Sequence, residues 1–178
     1  METVALSNET LSTILNRKSV RTYTGGKIGK EMIDKMLRAA MAAPAALHLL
    51  PWDFIIVTDN AKLKSLASGL PFAKMLTGAG TGIVVCATPE KTAPGNEVMA
   101  ILDCTCASEN ILLAAESLGL GAVWTAVYPD KKLMDFVRKE LAIPEEVIPL
   151  NMIPVGYPAG KEKAQNKFDT ANIHREHW

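Results

Sequence analysis

The chain has 178 residues, of which 48% are hydrophobic and 21% are charged, and its 19 basic residues balance its 19 acidic ones. This length suits one domain with its own core, so we expect residues 1–178 to form a single domain. Zero net charge argues against nucleic acid or an anionic membrane as the main partner. Residues 1–4 lack the basic start and apolar run of a signal peptide.

In chain order, apolar residues at helical spacing predict a first helix over 8–16, with Ser7 or Asn8 as its cap. Two glycines then break the chain, and a second helix is predicted over 30–42, ended by Pro44. In both segments the apolar side chains recur on one face, which indicates that each helix packs that face against a core.

A short apolar strand is predicted over 54–57, followed by polar residues that can cap a brief helix. The run 83–87 is apolar throughout, so we expect a strand that is buried on both faces. The longest helix is predicted over 98–118. Charged and amide side chains interrupt its apolar surface, which favours the central helix of a core over a membrane span.

The remaining elements are a third strand over 122–127, a helix capped by Asp130 and running through Leu141, and a fourth strand over 150–155. A polar tail follows and ends in Trp178. The long central helix and this tail predict an α+β fold with a mixed central sheet flanked by helices, and not a regular doubly wound sheet.

Cysteine and histidine spacings indicate neither a disulfide framework nor a metal centre. Cys86, Cys104 and Cys106 lack the spacing of a zinc knuckle, so we expect three buried thiols in a reducing cytoplasm. His174 and His177 lie three residues apart without a third candidate ligand nearby in the sequence. No metal site is expected.

The first segment with chemical potential sets three cations around one hydroxyl, at Arg17, Lys18, Ser19 and Arg21. Such a cluster can bind a phosphate by charge-assisted hydrogen bonds. The same residues could equally form the solvated basic end of a helix, where cations suit the macrodipole. The segment alone leaves both interpretations open.

The usual nucleotide and hydrolase motifs are missing. The glycines of 78–82 precede a strand instead of following one, and the last comes one position early for a dinucleotide fingerprint. The sequence contains no P-loop and no nucleophile elbow. Phosphoryl or acyl transfer would therefore need unfamiliar machinery.

A second informative segment is the loop 42–52, whose small residues let a flat ring approach the backbone. Together with the basic cluster, the 119–121 turn before a Trp-bearing strand, and 167–169 near the C-terminus, it resembles the nitroreductase family of FMN-dependent oxidoreductases. The resemblance extends over 17–178. It is strongest with short, single-domain members that end this strand as residues 124–129 do here.

The resemblance implies that Arg17 and Ser19, with Lys18 beside them, hold the phosphate and ribityl chain of FMN. Arg21 would lie at the pyrimidine edge of the flavin, where a cation stabilises the negative charge of the reduced ring. Two further cations are implied by position in the family pattern, namely Lys74 at the same edge and Lys167 at the phosphate.

The resemblance also implies that the partner subunit of a homodimer contributes Pro44, Ala45, Ala46 and His48 to each site. The backbone of Thr125, Ala126 and Val127 would approach the isoalloxazine ring near N5. A C-terminal arm would cross to the partner, so that the sites lie at the subunit interface.

This chain departs from the family pattern in the loop, where Ala45, His48 and Leu50 stand at the usual Ser, Asn and Gln positions. His48 could donate to the flavin or a substrate and titrate near neutral pH, or it could fill space as a half-buried side chain. Trp52 is expected to be a core anchor more than a substrate platform. Tyr128 fits either role.

The implied activity is ping-pong hydride transfer from NADH or NADPH through FMN to a small acceptor such as a nitroaromatic or a quinone. A flavin-binding protein for storage, sensing or delivery, with little turnover, is the alternative. A structural α+β domain without a cofactor is a weaker third possibility.

Overall fold

The structure is a computed structural model that describes residues 8–178, so residues 1–4 and Ser7 of the predictions above lie outside the described part. Its helices are α1 (Glu9–Asn16), α2 (Lys30–Met41), α3 (Asn60–Gly69), α4 (Leu76–Ala79), α5 (Glu97–Ser117) and α6 (Lys131–Leu141). Its strands are β1 (Trp52–Val57), β2 (Thr81–Ala87), β3 (Gly121–Ala122), β4 (Thr125–Ala126) and β5 (Ile148–Gly156).

Polar caps begin two of the predicted helices. The Asn8 side chain accepts hydrogen bonds from the backbone of Thr10 and Leu11 at the start of α1. Asp130 does the same for Lys132 and Leu133 at the start of α6. These bonds satisfy N–H groups that have no partner within the helix, which confirms both predicted starts.

The prediction of one continuous third strand is wrong. The segment forms the two short strands β3 and β4 instead. Both pair with β5, at Ala122 opposite Val155 and at Thr125 opposite Met152. Between these pairs, the carbonyl of Pro154 accepts from the Val123 backbone at 3.3 Å. Proline has no N–H to return a bond, so the ladder is interrupted at this point.

The strands form one sheet in the order β1-β2-β5-β3, with β4 also paired to β5. All of these pairs are antiparallel. Within residues 8–178, parallel pairing occurs only at an isolated bridge between Ser19 and Ala122. The predicted α+β class is confirmed, and β2 is buried along its whole length as expected.

Helices cover both faces of the sheet. One core layer lies under α2 and α5 and includes Met36, Ile111 and Trp52, which is only 6% exposed and so is a core anchor as predicted. The other layer lies under α3, α4 and α6 and includes Leu63 and Met152. A sheet buried by helices on both sides accounts for its continuous apolar strands.

The central helix α5 is the one described helix that is long and apolar enough to cross a membrane by length and composition. The core helix of a folded domain passes the same test. Here, one face of α5 packs against α2 and the sheet, with Ala100, Cys104, Ala107 and Ile111 buried. This packing is that of a core helix, as predicted.

Two of the three thiols are buried as expected, and one is not. Burial raises the pKa of the Cys86 thiol to about 12, and it raises the pKa of Cys104 further still above the usual value. Cys106 is exposed, because it lies on the outward face of α5 one turn from the exposed Leu102. Across residues 8–178, no group of three or more His, Cys, Asp or Glu side chains could hold a metal ion.

Candidate functional site

The basic cluster lies on residues 17–21, here called the basic segment. This extended segment follows α1 and packs beside β3. The backbone N–H of Val20 donates to the carbonyl of Ala122 at 3.0 Å, next to the bridge between Ser19 and Ala122. Val20 itself is 1% exposed and anchors the segment in the protein. Because side chains alternate along extended backbone, Arg17 and Arg21 project from the opposite face of the segment to Val20.

Gly121 allows the segment to lie this close to β3. A Cβ atom built at Gly121 would be 2.6 Å from Cγ1 of Val20, which is too close for any side chain to fit without displacement. The glycine therefore serves close approach of two backbones, as glycines in strands often do. The 119–121 turn, identified in the sequence, is thus part of what positions the cations.

The cluster lines a cavity of about 340 Å³, here called the cationic cavity. Its wall combines the basic segment with residues from the start of the C-terminal tail. These lining residues are Arg17, Lys18, Ser19, Arg21, Glu162, Lys163, Gln165 and Lys167. Five cations and one carboxylate therefore face a single cavity, which favours an anionic ligand.

Two of these cations have carboxylate partners on α5. Lys18 Nζ lies 2.8 Å from Glu116, and Arg17 Nε lies 3.4 Å from Glu109. These pairs tie the basic segment to the central helix. The contact of Arg17 is given by its Nε, and its terminal nitrogens make no hydrogen bond within residues 8–178, which leaves them for a ligand.

Arg21 has no ion-pair partner among residues 8–178. Its Nη1 makes only a long contact of 3.5 Å to the carbonyl of Ser19. Glu31, a carboxylate that could have neutralised it, instead pairs with Lys35 at 2.8 Å. The pKa of Glu31 is correspondingly lowered by its hydrogen bond from Lys35. The guanidinium of Arg21 is thus available to a bound molecule.

Glu162 holds the backbone of the basic segment from the other side. Its Oε1 accepts from the backbone N–H of Arg21 at 2.8 Å and of Thr22 at 2.9 Å. The N–H of Arg21 is the main cause that lowers the pKa of this carboxyl, so Glu162 is ionised at neutral pH. Its Oε2 is shielded from solvent and has no hydrogen-bond partner.

A second cavity of about 430 Å³, here called the Trp124 cavity, shares Arg21 with the cationic cavity. Its wall mixes apolar and aromatic side chains with two cations. These lining residues are Arg21, Pro71, Phe72, Lys74, Met75, Trp124, Thr125 and Ala126. Since Arg21 lines both cavities, a ligand with an anionic end and a flat body can extend from one into the other.

Strand β4, which lines the Trp124 cavity, is held in place by β5. The hydroxyl of Thr125 donates to the carbonyl of Met152 at 2.6 Å. Val127, which follows β4, is 1% exposed and belongs to the core. Lys74 Nζ donates to the carbonyl of Ser68 at 3.1 Å, which holds this cation at the rim. Of the three predicted backbone positions, Thr125 and Ala126 line the cavity and Val127 does not.

The predicted loop residues Pro44, Ala45, Ala46 and His48 line neither cavity of their own chain. The backbone N–H of Ala46 donates to the buried carboxylate of Asp103 on α5 at 3.0 Å, which fixes the loop against the central helix.

The loop beyond Ala46 projects outward. His48 is exposed, which excludes the half-buried alternative within one chain. Leu47, His48 and Leu50 have φ of 52°, 58° and 51°, a region that costs energy for residues other than glycine. Leu47 is 81% exposed. Strained backbone that presents apolar side chains to solvent indicates a surface that meets something else.

Sequence reasoning missed Glu162 and Phe72 as cavity residues. Glu162 lies between two lysines in a polar tail, where a carboxylate reads as an ordinary solvated charge. Phe72 lies in a turn without periodicity. In both cases the relevant neighbours are distant in sequence, at Arg21 and Trp124, so local pattern contains no signal.

Known proteins are similar to this chain over nearly its whole length. A protein from Archaeoglobus fulgidus is 41% identical over 173 residues, which cover 96% of this chain and 99% of that protein. A solved structure from Parabacteroides distasonis is 53% identical, with a TM-score of 0.91 and coverage of 96% and 99%. Both carry the name "Putative NADH dehydrogenase/NAD(P)H nitroreductase".

A third relative is the structure of an FMN-dependent nitroreductase from Clostridium difficile. It is 30% identical, with a TM-score of 0.87, and the match covers 94% of this chain and 99% of that one. The model of the nitroreductase family matches residues 14–68 and 65–157, which include the basic segment, the strands β3 and β4 and most of the core. This chain is therefore a member of the nitroreductase family.

Proposed function

We propose that the protein is an FMN-dependent NAD(P)H oxidoreductase of the nitroreductase type. The observation that carries this proposal is the pair of adjoining cavities, one lined by cations and one by flat and apolar side chains, with Arg21 between them. The residues fit FMN because its single phosphate needs cations at one end and its ring needs a flat, partly apolar pocket at the other. When bound, FMN supplies reversible two-electron chemistry.

The residues of the cationic cavity would bind the phosphate end of the cofactor. Arg17 and Lys167 supply charge, and the hydroxyl of Ser19 supplies a hydrogen bond beside them. At the other end, Arg21 and Lys74 offer cations to the ring edge, and Thr125 and Ala126 offer backbone. No side chain of this set needs to act as a proton donor in hydride transfer, so the protein's task is to bind and orient.

The overall reaction balances with one proton from solvent and no other reagent. NAD(P)H loses a hydride and becomes NAD(P)⁺, and the acceptor gains two electrons, one proton from the hydride and one proton from water. A quinone becomes a hydroquinone in this way. Nitroaromatics are the other acceptor class of this proposal, in line with the names of the similar proteins, and with the same two electrons and two protons a nitro group becomes a nitroso group and water. A ping-pong order, with both substrates using one pocket in turn, belongs to the same proposal.

A homodimer with sites at the subunit interface is part of the proposal. It is supported by exposed apolar side chains on α1, on the outward face of α5 and on the loop 44–50, which a monomer would leave in water. The loop lines neither the cationic cavity nor the Trp124 cavity of its own chain, so it is free to complete the site of a partner, with Pro44, Ala45, Ala46 and His48 as the contributed residues.

A cytoplasmic location also belongs to the proposal. It is supported by three cysteines that are all free, as expected for a reducing compartment.

The first test identifies the cofactor. Protein purified from cells with excess riboflavin should be yellow, with the absorbance bands of oxidised flavin, and heat should release a compound that comigrates with FMN. Recovery of FAD, or of no flavin, would contradict the proposal.

Stopped-flow mixing with NADH and with NADPH should bleach the flavin rapidly with at least one of them. A bound flavin that neither reductant bleaches would identify a carrier instead of an enzyme.

Replacement of Arg17 by Ala should weaken FMN binding by about 1.5–3 kcal/mol, the value of a hydrogen bond to a charged group. The matched control is Lys139→Ala, which removes one exposed cation of α6 that lines neither cavity. Fluorescence titration of the flavin-free proteins measures both. Equal dissociation constants for parent and Arg17→Ala would remove Arg17 from the site.

A further inference from the structure

Glu162 is the only carboxylate among the residues that line the cationic cavity, and its contacts are unusual for such a group. One of its oxygens accepts two backbone hydrogen bonds, from Arg21 and from Thr22. The other is shielded from solvent and has no partner. A carboxylate inside a cation-lined site reduces the charge available to an anionic ligand, so its presence calls for a physical reason.

The negative charge of Glu162 is not neutralised by an ion pair. Within residues 8–178, no Lys, Arg or His nitrogen lies within 4.0 Å of its oxygens, although Lys163 is its neighbour in the chain and lines the same cavity. Its hydrogen bonds come from uncharged groups of Arg21 and Thr22. The cavity therefore contains a fixed negative charge adjacent to Arg21.

Glu162 also fixes the position of Arg21. The tail around it pairs with the same segment, since the N–H of Ala159 donates to the carbonyl of Thr22 at 2.9 Å and the N–H of Thr24 donates to that of Tyr157 at 3.0 Å. The carboxylate extends this pairing by one step to Arg21, whose own side chain makes only a 3.5 Å contact. Glu162 is the group that holds the Arg21 backbone from the tail side.

We infer that Glu162 is a positioning residue of the flavin site that holds Arg21 in place and, by its charge, opposes the reduction of the bound cofactor. The inference rests on the proposed function. Reduction adds negative charge to FMN, which Arg21 favours and a nearby carboxylate disfavours. The two residues then set the reduction potential by opposing effects, and the carboxylate keeps reduced FMN ready to give up its electrons.

The decisive variant is Glu162→Gln, which keeps an oxygen for the two backbone hydrogen bonds and removes the charge. The dissociation constant of oxidised FMN divided by that of reduced FMN should rise about three- to tenfold, which is the effect of one unit charge in a partly solvated site. A tenfold rise corresponds to a midpoint potential about 30 mV higher. The control is Glu145→Gln, which removes an exposed carboxylate in the turn between α6 and β5 and should leave the ratio unchanged.

The positioning role has its own readout in flavin-free protein. Hydrogen exchange at the amides of Arg21 and Thr22 should be slow in the parent and in Glu162→Gln, and faster in Glu162→Ala, which cannot accept either bond. Faster exchange at these two amides alone would support the role. Unchanged exchange in Glu162→Ala would overturn it.

The outcomes separate this inference from the proposed function. A parent protein that takes up no FMN would overturn both. A flavin-loaded parent whose ratio is the same in Glu162→Gln, or shifts in the opposite direction, would overturn the electrostatic role and leave the proposed function intact.

Discussion

At the scale of single residues, Arg21 is the position that lines both cavities, and its guanidinium has no ion-pair partner among residues 8–178. Arg17 and Lys18 are each paired with a carboxylate of α5, whereas Arg21 has no ion-pair partner in the described chain. An unpaired guanidinium between an anion-binding cavity and an aromatic-lined one can act on whichever part of a ligand lies there. This difference distinguishes Arg17 and Lys18, which would bind the phosphate, from Arg21, which would set the reduction potential of the flavin.

We predict that Arg21→Gln lowers the two-electron reduction potential of bound FMN by about 30 mV, the equivalent of 1.4 kcal/mol for one lost charge-assisted contact. Glutamine keeps hydrogen-bonding capacity and removes the charge, so reduced FMN is stabilised less. Spectroelectrochemical titration measures the shift. It is opposite in sign to the shift expected for Glu162→Gln.

The control for this prediction is Arg17→Ala. A phosphate carries the same charge in oxidised and reduced FMN, so this variant should weaken binding of both forms and leave the potential close to that of the parent. If Arg21→Gln had the parent's potential, Arg21 would be a surface cation without influence on the ring.

Sequence reasoning assigned residues to the cavities in two ways. Lys74, Thr125, Ala126 and Lys167 came from the family resemblance, whereas the basic cluster was visible as a local pattern. Arg17, Ser19 and Arg21 are close together in sequence, so their grouping is visible before the fold is known. Glu162 joins them only because the tail after β5 returns along the basic segment. Contacts of this kind depend on chain path and not on local pattern, which is why they required the structure.

At the scale of elements, helices were the easiest to predict and the third strand the hardest. The periodicity of α2 and α5 extends over several turns, and their observed ends lie within one residue of the predicted ones. The apolar run before Tyr128 has no comparable marker for the break between β3 and β4. That break depends on Pro154 in the neighbouring strand, a residue about 30 positions away that the run itself does not contain.

We predict that Gly121→Ala lowers the free energy of unfolding by about 1–3 kcal/mol, as overpacking of a tight contact does. The added Cβ would be 2.6 Å from Val20, so β3 or the basic segment must move. The displacement should also weaken FMN binding, since Arg17 and Arg21 flank Val20. Urea denaturation and flavin titration measure the two effects.

The matched control is Gly78→Ala, at a helical glycine where a Cβ would meet no atom within 4 Å. It should leave stability unchanged or raise it by up to about 1 kcal/mol. Equal urea midpoints for the parent and Gly121→Ala would mean that the segment tolerates displacement and that its contact with β3 does not set the site.

At the scale of the whole molecule, the C-terminal tail is the feature that a single chain does not explain. Its first residues pair with the basic segment, as far as Glu162. From residue 163 to the end, every residue is exposed, including Phe168 and Ile173. The exposed Trp178 stacks on His174, with 4.4 Å between the two ring centroids. Apolar side chains on an extended arm gain stability only when another surface covers them.

The unpaired edge of the sheet is the second such feature. β1 pairs with β2 on one side, and no described strand pairs with its other side. An open edge and an arm with exposed apolar side chains are complementary features, and in a symmetric pair each chain's arm can cover surface of the other. This is the reason to expect that dimer formation and flavin binding depend on the same segment.

We therefore predict that a chain truncated after Asn166 loses both stable dimerisation and most of its FMN affinity. The truncation removes Lys167, Phe168, Ile173 and Trp178, and it retains Glu162 with its backbone hydrogen bonds, so the basic segment stays in place. The full-length variant Lys167→Ala separates the two effects, because it removes the cation and keeps the arm. It should remain a dimer with moderately weaker FMN binding. Sedimentation velocity over a range of concentrations, read at both protein and flavin wavelengths, distinguishes the species. A truncated chain that sediments as a stable, flavin-loaded dimer would show that the arm neither joins the subunits nor supports the site.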